Sequence, residues 1–248
     1  MEDMKMEMPV LSIRNFSKTY RGGKRAVADL SLDICAGDIF GFIGHNGAGK
    51  TTTLKAVSGI LDFEAGEIRI DGHSIQKEPM WCKERMAYLP DNPDLYEYLT
   101  GIQYLNFIGD VYRVPGKVRT ERIGELSEQF GITRSLGDLI STYSHGMKQK
   151  LALISAFLHK PRLLLLDEPF VGLDPEASVV LKENMHALCR DGSAIFFSTH
   201  VLEVEQKLCN KIAIIKEGRL VTQGGMEALT GTRSLEEVFM EVVRNEKE

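Results

Sequence analysis

The chain has 248 residues, 43% of them hydrophobic and 26% charged, which is enough apolar material for a full core. Its net charge of −5 argues against unassisted binding to DNA or RNA, because phosphate contacts need clustered Lys and Arg. The four cysteines are scattered, without a CxxC pair, which argues against a disulfide framework or a zinc site. No run approaches the roughly 18 apolar residues of a membrane span, and the N-terminus lacks a secretory signal pattern. We therefore expect a soluble intracellular protein that reaches a membrane only through a partner.

The first part of the chain is predicted to be mainly β-structure. Strands are predicted over residues 10–20 and 26–34, followed by a short buried strand over 38–43 that leads into a glycine-rich loop. A helix is predicted over 52–61, behind that loop. A strand over 67–70 then meets Asp71-Gly72, a strong signal for a hairpin turn.

The remainder of the chain begins with a helical segment and then returns to strands. From 93 to 159, apolar residues recur at helical spacing and β-branched runs nearly vanish. Residues 163–166 and 194–198 are apolar runs typical of buried parallel strands, and Asp174-Pro175 predicts a helix start between them. A hairpin is predicted over 211–222 across Glu217-Gly218, and a helix ends the chain. The prediction is an α/β fold with a parallel sheet, an N-terminal antiparallel β portion and an inserted helical lobe.

The glycine-rich loop fits the pattern G-x-x-x-x-G-K-[ST], with a strand before it and a helix after it. The matching run is Gly44-His45-Asn46-Gly47-Ala48-Gly49-Lys50-Thr51, and Thr52 follows it. Such a loop curls backbone N–H groups around phosphate oxygens at a helix N-terminus. Lys50 is expected to reach the β- and γ-phosphates, and the Thr51 hydroxyl to bind Mg²⁺. The sequence therefore predicts a phosphate-loop NTPase core that binds a nucleotide.

Two carboxylates, Asp167 and Glu168, directly follow the predicted strand 163–166. Ligands bind at the carboxyl ends of strands in open α/β sheets, so both side chains are expected near the phosphate loop. Asp167 is expected to hold Mg²⁺ and Glu168 to polarise the attacking water. Acidic residues at this position can also be simple helix caps, but the phosphate loop upstream favours a hydrolase.

The order of these features resembles the ATPase subunits of ABC (ATP-binding cassette) transporters over about residues 10–242. Residues 143–150 occupy the place of the family's LSGGQ signature, Asp167-Glu168 ends the Walker B strand, and residues 171–174 resemble the D-loop. His200 stands where the family has its switch histidine, and the resemblance makes it a catalytic residue that contacts the γ-phosphate. Tyr20 stands where the family stacks an aromatic ring on adenine, although a half-exposed strand residue is the alternative.

The signature segment departs from the family pattern. His145 and Met147 replace a Gly and a Gln, whereas Ser144 and Gly146 are retained and are expected to contact nucleotide. Ser144 is also a suitable N-cap for the following helix, and the two roles agree. Two alternatives remain for His145: its ring faces the γ-phosphate of an ATP on the opposite subunit, or it turns to solvent.

A second departure is Asp91, where the family usually carries Gln. We include Asp91 with Thr51 and Asp167 among the candidate Mg²⁺ ligands. Whether Asp91 would coordinate Mg²⁺ directly is left open, because its side chain is shorter than that of Gln and, when ionised, cannot donate a hydrogen bond.

The resemblance implies an ATP-hydrolysing subunit, with ATP and Mg²⁺ bound, that powers transport, and the C-terminal segment 234–239 favours an exporter. It implies a head-to-tail dimer, with itself or with a similar ATPase, under a separate integral membrane subunit. The protein would then be cytoplasmic, on the inner face of the membrane, without nucleic acid as a partner. The core is expected over 1–92 and 160–248, and the signature-bearing helical lobe over 93–159. The alternatives are a non-transport ABC ATPase that acts on nucleic acid or ribosomes, and a small-molecule kinase.

Overall fold

The computed structural model describes residues 8–199 and 206–245 of the chain. The strands in these ranges are β1 (Leu11–Thr19), β2 (Arg25–Ile34), β3 (Ile39–Ile43), β4 (Ala65–Ile70), β5 (His73–Ser74), β6 (Met86–Leu89), β7 (Leu163–Asp167), β8 (Ala194–Thr199), β9 (Lys211–Lys216) and β10 (Arg219–Gly225). The helices are α1 (Lys50–Val57), α2 (Pro79–Lys83), α3 (Gly101–Val111), α4 (Gly116–Gln129), α5 (His145–Phe157), α6 (Pro175–Arg190), α7 (Met226–Thr230) and α8 (Leu235–Asn245).

The smaller sheet is antiparallel and contains the strands nearest the N-terminus. Its order is β2-β1-β4-β5. The turn between β4 and β5 has positive φ at both Asp71 (44°) and Gly72 (83°), as a type I′ hairpin turn requires. This confirms the turn predicted from the Asp-Gly pair. One face of the sheet packs onto α1 and the larger sheet.

The larger sheet has the order β10-β9-β3-β8-β7-β6, in which all neighbouring pairs except β10–β9 are parallel. Strand β7 is buried along its whole length. Leu163 and Leu165 belong to the core shared with the smaller sheet, whereas Leu164 and Leu166 belong to the core shared with the helices. Burial on both faces explains why this strand is a continuous apolar run.

The chain between β6 and β7 is helical, and α3, α4 and α5 form there. Together with α6 and α8 they contribute to the core on one face of the larger sheet. Among the described residues, no helix combines the length and the apolar character that a membrane crossing requires.

Two of the elements that differ from the predictions, α1 and β6, lie in or beside the larger sheet region that forms the site. The helix predicted over 52–61 begins at Lys50 and ends at Val57, because the last residues of the phosphate loop form its first turn and the chain turns at Gly59. Strand β6 was not predicted, since its four residues are too few to show a pattern. It pairs with β7 and forms the edge of the larger sheet.

Candidate functional site

The phosphate loop connects β3 to α1 and lies against the neighbouring strands. Gly49, the N-cap of α1, has φ 109°, and a Cβ at this position would lie 2.6 Å from the carbonyl oxygen of Ala26. Only glycine combines this conformation with so close an approach. The loop therefore brings its backbone N–H groups to the positive end of α1, the arrangement that binds phosphate.

Lys50 is the first residue of α1 and is only 6% exposed. Its ammonium donates a hydrogen bond to the carbonyl of Gly44 at 2.6 Å. The same nitrogen lies 3.9 Å from Oε1 of Glu168. Residues 118 positions apart in the chain thus meet beside the loop.

Asp167 ends β7 and is buried, with its carboxylate next to two hydroxyls. The Ser198 hydroxyl donates to its Oδ1, whereas its buried Oδ2 has no hydrogen-bond partner within the described part of the chain. Burial raises the pKa of Asp167 above its ordinary value. Hydrogen bonds from Ser198 and Thr51 oppose this rise, and the charges of Asp91 and Glu168 add to it.

Glu168 has a left-handed backbone conformation, with φ 51°. For a residue with a side chain this conformation is strained, and such residues cluster at functional sites. Its N–H donates to the carbonyl of Ser198 at 3.0 Å, which fixes the turn after β7. The carboxylate is 16% exposed and therefore reaches the cleft while it stays largely shielded from water.

These groups line one cleft of about 430 Å³. The residues that line it are Tyr20, Lys24, Ala26, His45, Asn46, Gly47, Gly49, Lys50, Thr51, Thr52, Asp91, Asp167 and Glu168. The Tyr20 hydroxyl lies 3.2 Å from that of Thr52, which holds the tyrosine at the edge of the cleft. Most of the candidate site residues therefore meet in one place.

The remaining candidate site residues do not line this cleft or lie outside the described residues. Gly44 and Ala48 belong to the loop but do not line the cleft, and neither do Ser144 and Gly146. His200, the predicted switch histidine, lies outside the described residues.

Sequence reasoning missed two groups at the site. Lys24 lines the cleft from the β1–β2 turn, and its sequence context gave no functional signal. Ser198 is the last residue of the predicted strand 194–198, and it stands opposite Asp167 in the β7–β8 register. That contact could be predicted once β7 and β8 are known to be neighbours.

The signature segment begins α5. Ser144 is the N-cap, and its hydroxyl accepts a hydrogen bond from the N–H of Met147 at 3.3 Å. A Cβ on Gly146 would lie 3.2 Å from the carbonyl oxygen of Gly172. The predicted N-cap is thus present, and the start of the helix contacts the loop that follows Glu168.

A family model described as ABC transporter matches residues 27–171, more than half of the chain. The ABC transporter ATP-binding protein YdbJ of Bacillus subtilis (strain 168) is 33% identical over 98% of this chain and 77% of its own length. The chain belongs to the ABC transporter family. It is an ATP-binding subunit and an ATPase of that family.

Two further comparisons agree with this assignment. The linearmycin resistance ATP-binding protein LnrL of the same organism is 34% identical over 87% of this chain and 69% of its own length. A solved structure of the ATP-binding subunit of an ABC transporter has a TM-score of 0.91 and 31% identity, and covers 95% of this chain and 100% of its own. The ABC ATPase described here therefore has the family's α/β fold, with its antiparallel sheet, its mainly parallel sheet and its helices.

Proposed function

We propose that Glu168 activates the water that attacks the γ-phosphate of ATP in the phosphate-loop cleft. The observation that carries this proposal is the 3.9 Å separation between the Lys50 ammonium and the Glu168 carboxylate. Lys50 would neutralise charge on the β- and γ-phosphates, and the adjacent carboxylate would accept the proton of the water. His200 is proposed to contact the γ-phosphate, on the family resemblance alone.

The donor set fits a magnesium ion. Mg²⁺ uses one or two carboxylates together with substrate phosphates and water, and Asp167 has a buried oxygen that lacks a hydrogen-bond partner in the described part of the chain. We propose that Thr51 and Asp167 hold the ion, which would neutralise phosphate charge when bound. No group of three or more His, Cys, Asp or Glu side chains that could hold a metal occurs among the described residues. Asp91 lies at the same cleft and stays a candidate third contributor.

Tyr20 is proposed to stack on the adenine of ATP. Its side chain is partly exposed at the edge of the cleft, so a ring face is accessible to a base. The backbone groups of residues 44–49 and the side chains of Thr51 and Thr52 are proposed to contact the phosphates.

We propose that a complete ATP-hydrolysing site requires two chains. Ser144 and Gly146 do not line the cleft of their own chain, yet Ser144 caps a helix whose N-terminus is suited to phosphate. In a head-to-tail pair, each Ser144–Gly146 segment would face the ATP on the opposite chain. The partner chain is a second copy or a similar ATPase, and release after hydrolysis would open the pair.

We propose that this pair powers a separate integral membrane subunit from the cytoplasmic side of the membrane. Residues 93–159 would move as a lobe against the core formed by 1–92 and 160–248. The exposed aromatic side chains of Tyr96 and Tyr98 and the adjacent 490 Å³ cleft would receive the partner. Export is the proposed direction, because the relative LnrL is named for linearmycin resistance, and removal of a compound from the cell is one way to resist it.

ATP binding and turnover of the purified chain test the site. Lys50→Ala should abolish turnover and weaken ATP binding, because the phosphate charge loses its main compensating group. Lys55→Ala, one turn further along the same helix, is the matched control and should behave like the wild type. A folded Lys50→Ala variant with unchanged nucleotide affinity would refute the proposed site.

A further inference from the structure

The last described helix, α8, contacts the phosphate loop through one aromatic side chain. The ring of Phe239 lies 5.0 Å from the imidazole of His45, centroid to centroid, with an interplanar angle of 64°. This is an edge-to-face contact between aromatic rings, a favourable geometry. Phe239 is buried, whereas His45 is exposed.

Helix α8 is anchored independently of this contact. Its first turn has a reciprocal cap, since the Ser234 N–H donates to Glu237 at 2.9 Å and the Glu237 N–H donates to the Ser234 hydroxyl at 3.2 Å. The N–H of Leu235 donates to the side chain of Gln206 at 3.2 Å. Leu235 and Val238 are buried in the same core cluster as Phe239. The position of Phe239 is therefore set by the core and not by the phosphate loop.

His45, by contrast, is part of the loop that surrounds the phosphates. Its carbonyl accepts a hydrogen bond from the N–H of Ala48 at 3.1 Å and lies 3.5 Å from the Lys50 ammonium. A contact that restrains the His45 ring thereby restrains the backbone at the second position of the loop. Holding this loop in its binding conformation reduces the ordering cost that a nucleotide otherwise bears.

We propose that Phe239 is a positioning residue, which promotes nucleotide binding by restraining the ring of His45. Helix α8 then has a second role besides covering the core: it holds the phosphate loop in the conformation that binds ADP and ATP. This inference rests on the proposed nucleotide site at residues 44–51. The rings are 194 positions apart in the chain, so the C-terminal helix becomes part of the site only in the folded protein.

The test measures ADP binding with Mg²⁺ by calorimetry for Phe239→Leu, His45→Ala and the double variant. ADP presents the phosphates next to the loop and is not consumed. From the usual strength of an aromatic pair, each single change should raise the ADP dissociation constant about two- to tenfold. The double variant should bind ADP no more weakly than the single variant with the higher dissociation constant, because both changes remove the same contact. In steady-state turnover the KM for ATP should rise while kcat stays within about twofold.

The control is Phe130→Leu, which removes a buried ring at the end of α4, away from the cleft. It should lower the melting temperature without changing the ADP dissociation constant. If Phe239→Leu behaves in the same way, Phe239 is only a core residue and the proposal is overturned. If Phe239→Leu does not fold, an unchanged ADP affinity in His45→Ala overturns it equally. Failure of the wild type to bind ADP would instead refute the proposed site itself.

Discussion

The imidazole of His145 lies directly against the backbone of Gly172. A Cβ on Gly172 would come within 2.8 Å of Cδ2 of His145 and 2.9 Å of its Nε2. A second link follows five residues further along α5, where Lys150 forms a 2.6 Å ion pair with Asp174, the N-cap of α6. Within one chain, the start of α5 is thus held to the loop that follows Glu168. The His145 ring occupies space that the family's glycine would leave open.

Gly172→Ala is predicted to destabilise the fold and to lower ATP turnover. Gly172 has φ 80°, and the added methyl group would also collide with His145. The left-handed conformation alone costs an alanine about 1–2 kcal/mol, and the collision adds to it. Urea unfolding should show a lower free energy of unfolding for Gly172→Ala. Adding His145→Gly to this variant should restore only the part of the free energy that the collision removes. Gly137→Ala, at an exposed glycine with open space around it, is the control. Wild-type stability in Gly172→Ala would contradict the assigned contact.

Tyr96→Ala combined with Tyr98→Ala is predicted to weaken association with the membrane subunit while ATP binding is retained. Tyr98 is 74% exposed, and Tyr96 lies beside it with a ring separation of 5.9 Å. Exposed aromatic residues of this kind are frequent binding hot spots. The fraction of the chain recovered with membranes of the source organism measures the effect. Val179→Ala, an exposed apolar change on α6, is the control. Equal membrane recovery for both variants would refute the docking surface.

The stability of the protein is predicted to depend on pH through His159. This side chain stacks on Tyr112 with ring centroids 3.6 Å apart, and its Nε2 lies 3.2 Å from the carbonyl of Met86, which can only accept. Burial lowers the pKa of His159 from 6.5 to about 4. The His159 imidazole therefore binds a proton more readily in the unfolded chain than in the folded protein. Its contribution to the free energy of unfolding is fully present above pH 6.5 and is lost as the pH falls towards 4.

The size of this effect is roughly 3 kcal/mol, from 1.36 kcal/mol for each pH unit between the two pKa values. Urea unfolding at pH 7 and pH 4.5 should show a smaller loss of stability in His159→Phe than in the wild type. His186→Gln, at an exposed histidine, should match the wild type. The same pH dependence in His159→Phe and in the wild type would disprove the prediction.

Much of the fold could be predicted because its elements have local causes. The run Leu163–Asp167 is apolar because both faces of β7 are buried, and the turn at Glu217 and Gly218 has positive φ at both residues, as its sequence indicates. The orientation of single side chains was less predictable. The spacing of Tyr104 and Phe107, three residues apart on α3, predicts that both are core residues. Tyr104 is buried, but the prediction was wrong for Phe107, which is 43% exposed and packs on Tyr96. Helical spacing places Phe107 near the apolar face of α3, but it does not determine whether other residues of the fold cover that side chain.

The candidate site was predicted where a motif is continuous in sequence, as in the phosphate loop and at the end of β7. Contacts between distant segments could not be predicted in this way. The proximity of Lys50 to Glu168, of His45 to Phe239 and of His145 to Gly172 results from strand order and helix packing. No local pattern encodes these pairs, since each depends on the tertiary arrangement of the two sheets and the helices.

The ATP turnover of Glu168→Gln tests the central claim most directly. The amide keeps the shape of the side chain but cannot accept the proton of the attacking water, so turnover should fall about 10²- to 10⁴-fold. ATP binding should persist, and an ATP-dependent dimer should accumulate on gel filtration. Glu176→Gln, in the exposed first turn of α6, is the matched control and should retain wild-type turnover. Turnover in Glu168→Gln close to that of the wild type would contradict the assignment of Glu168 as the catalytic base.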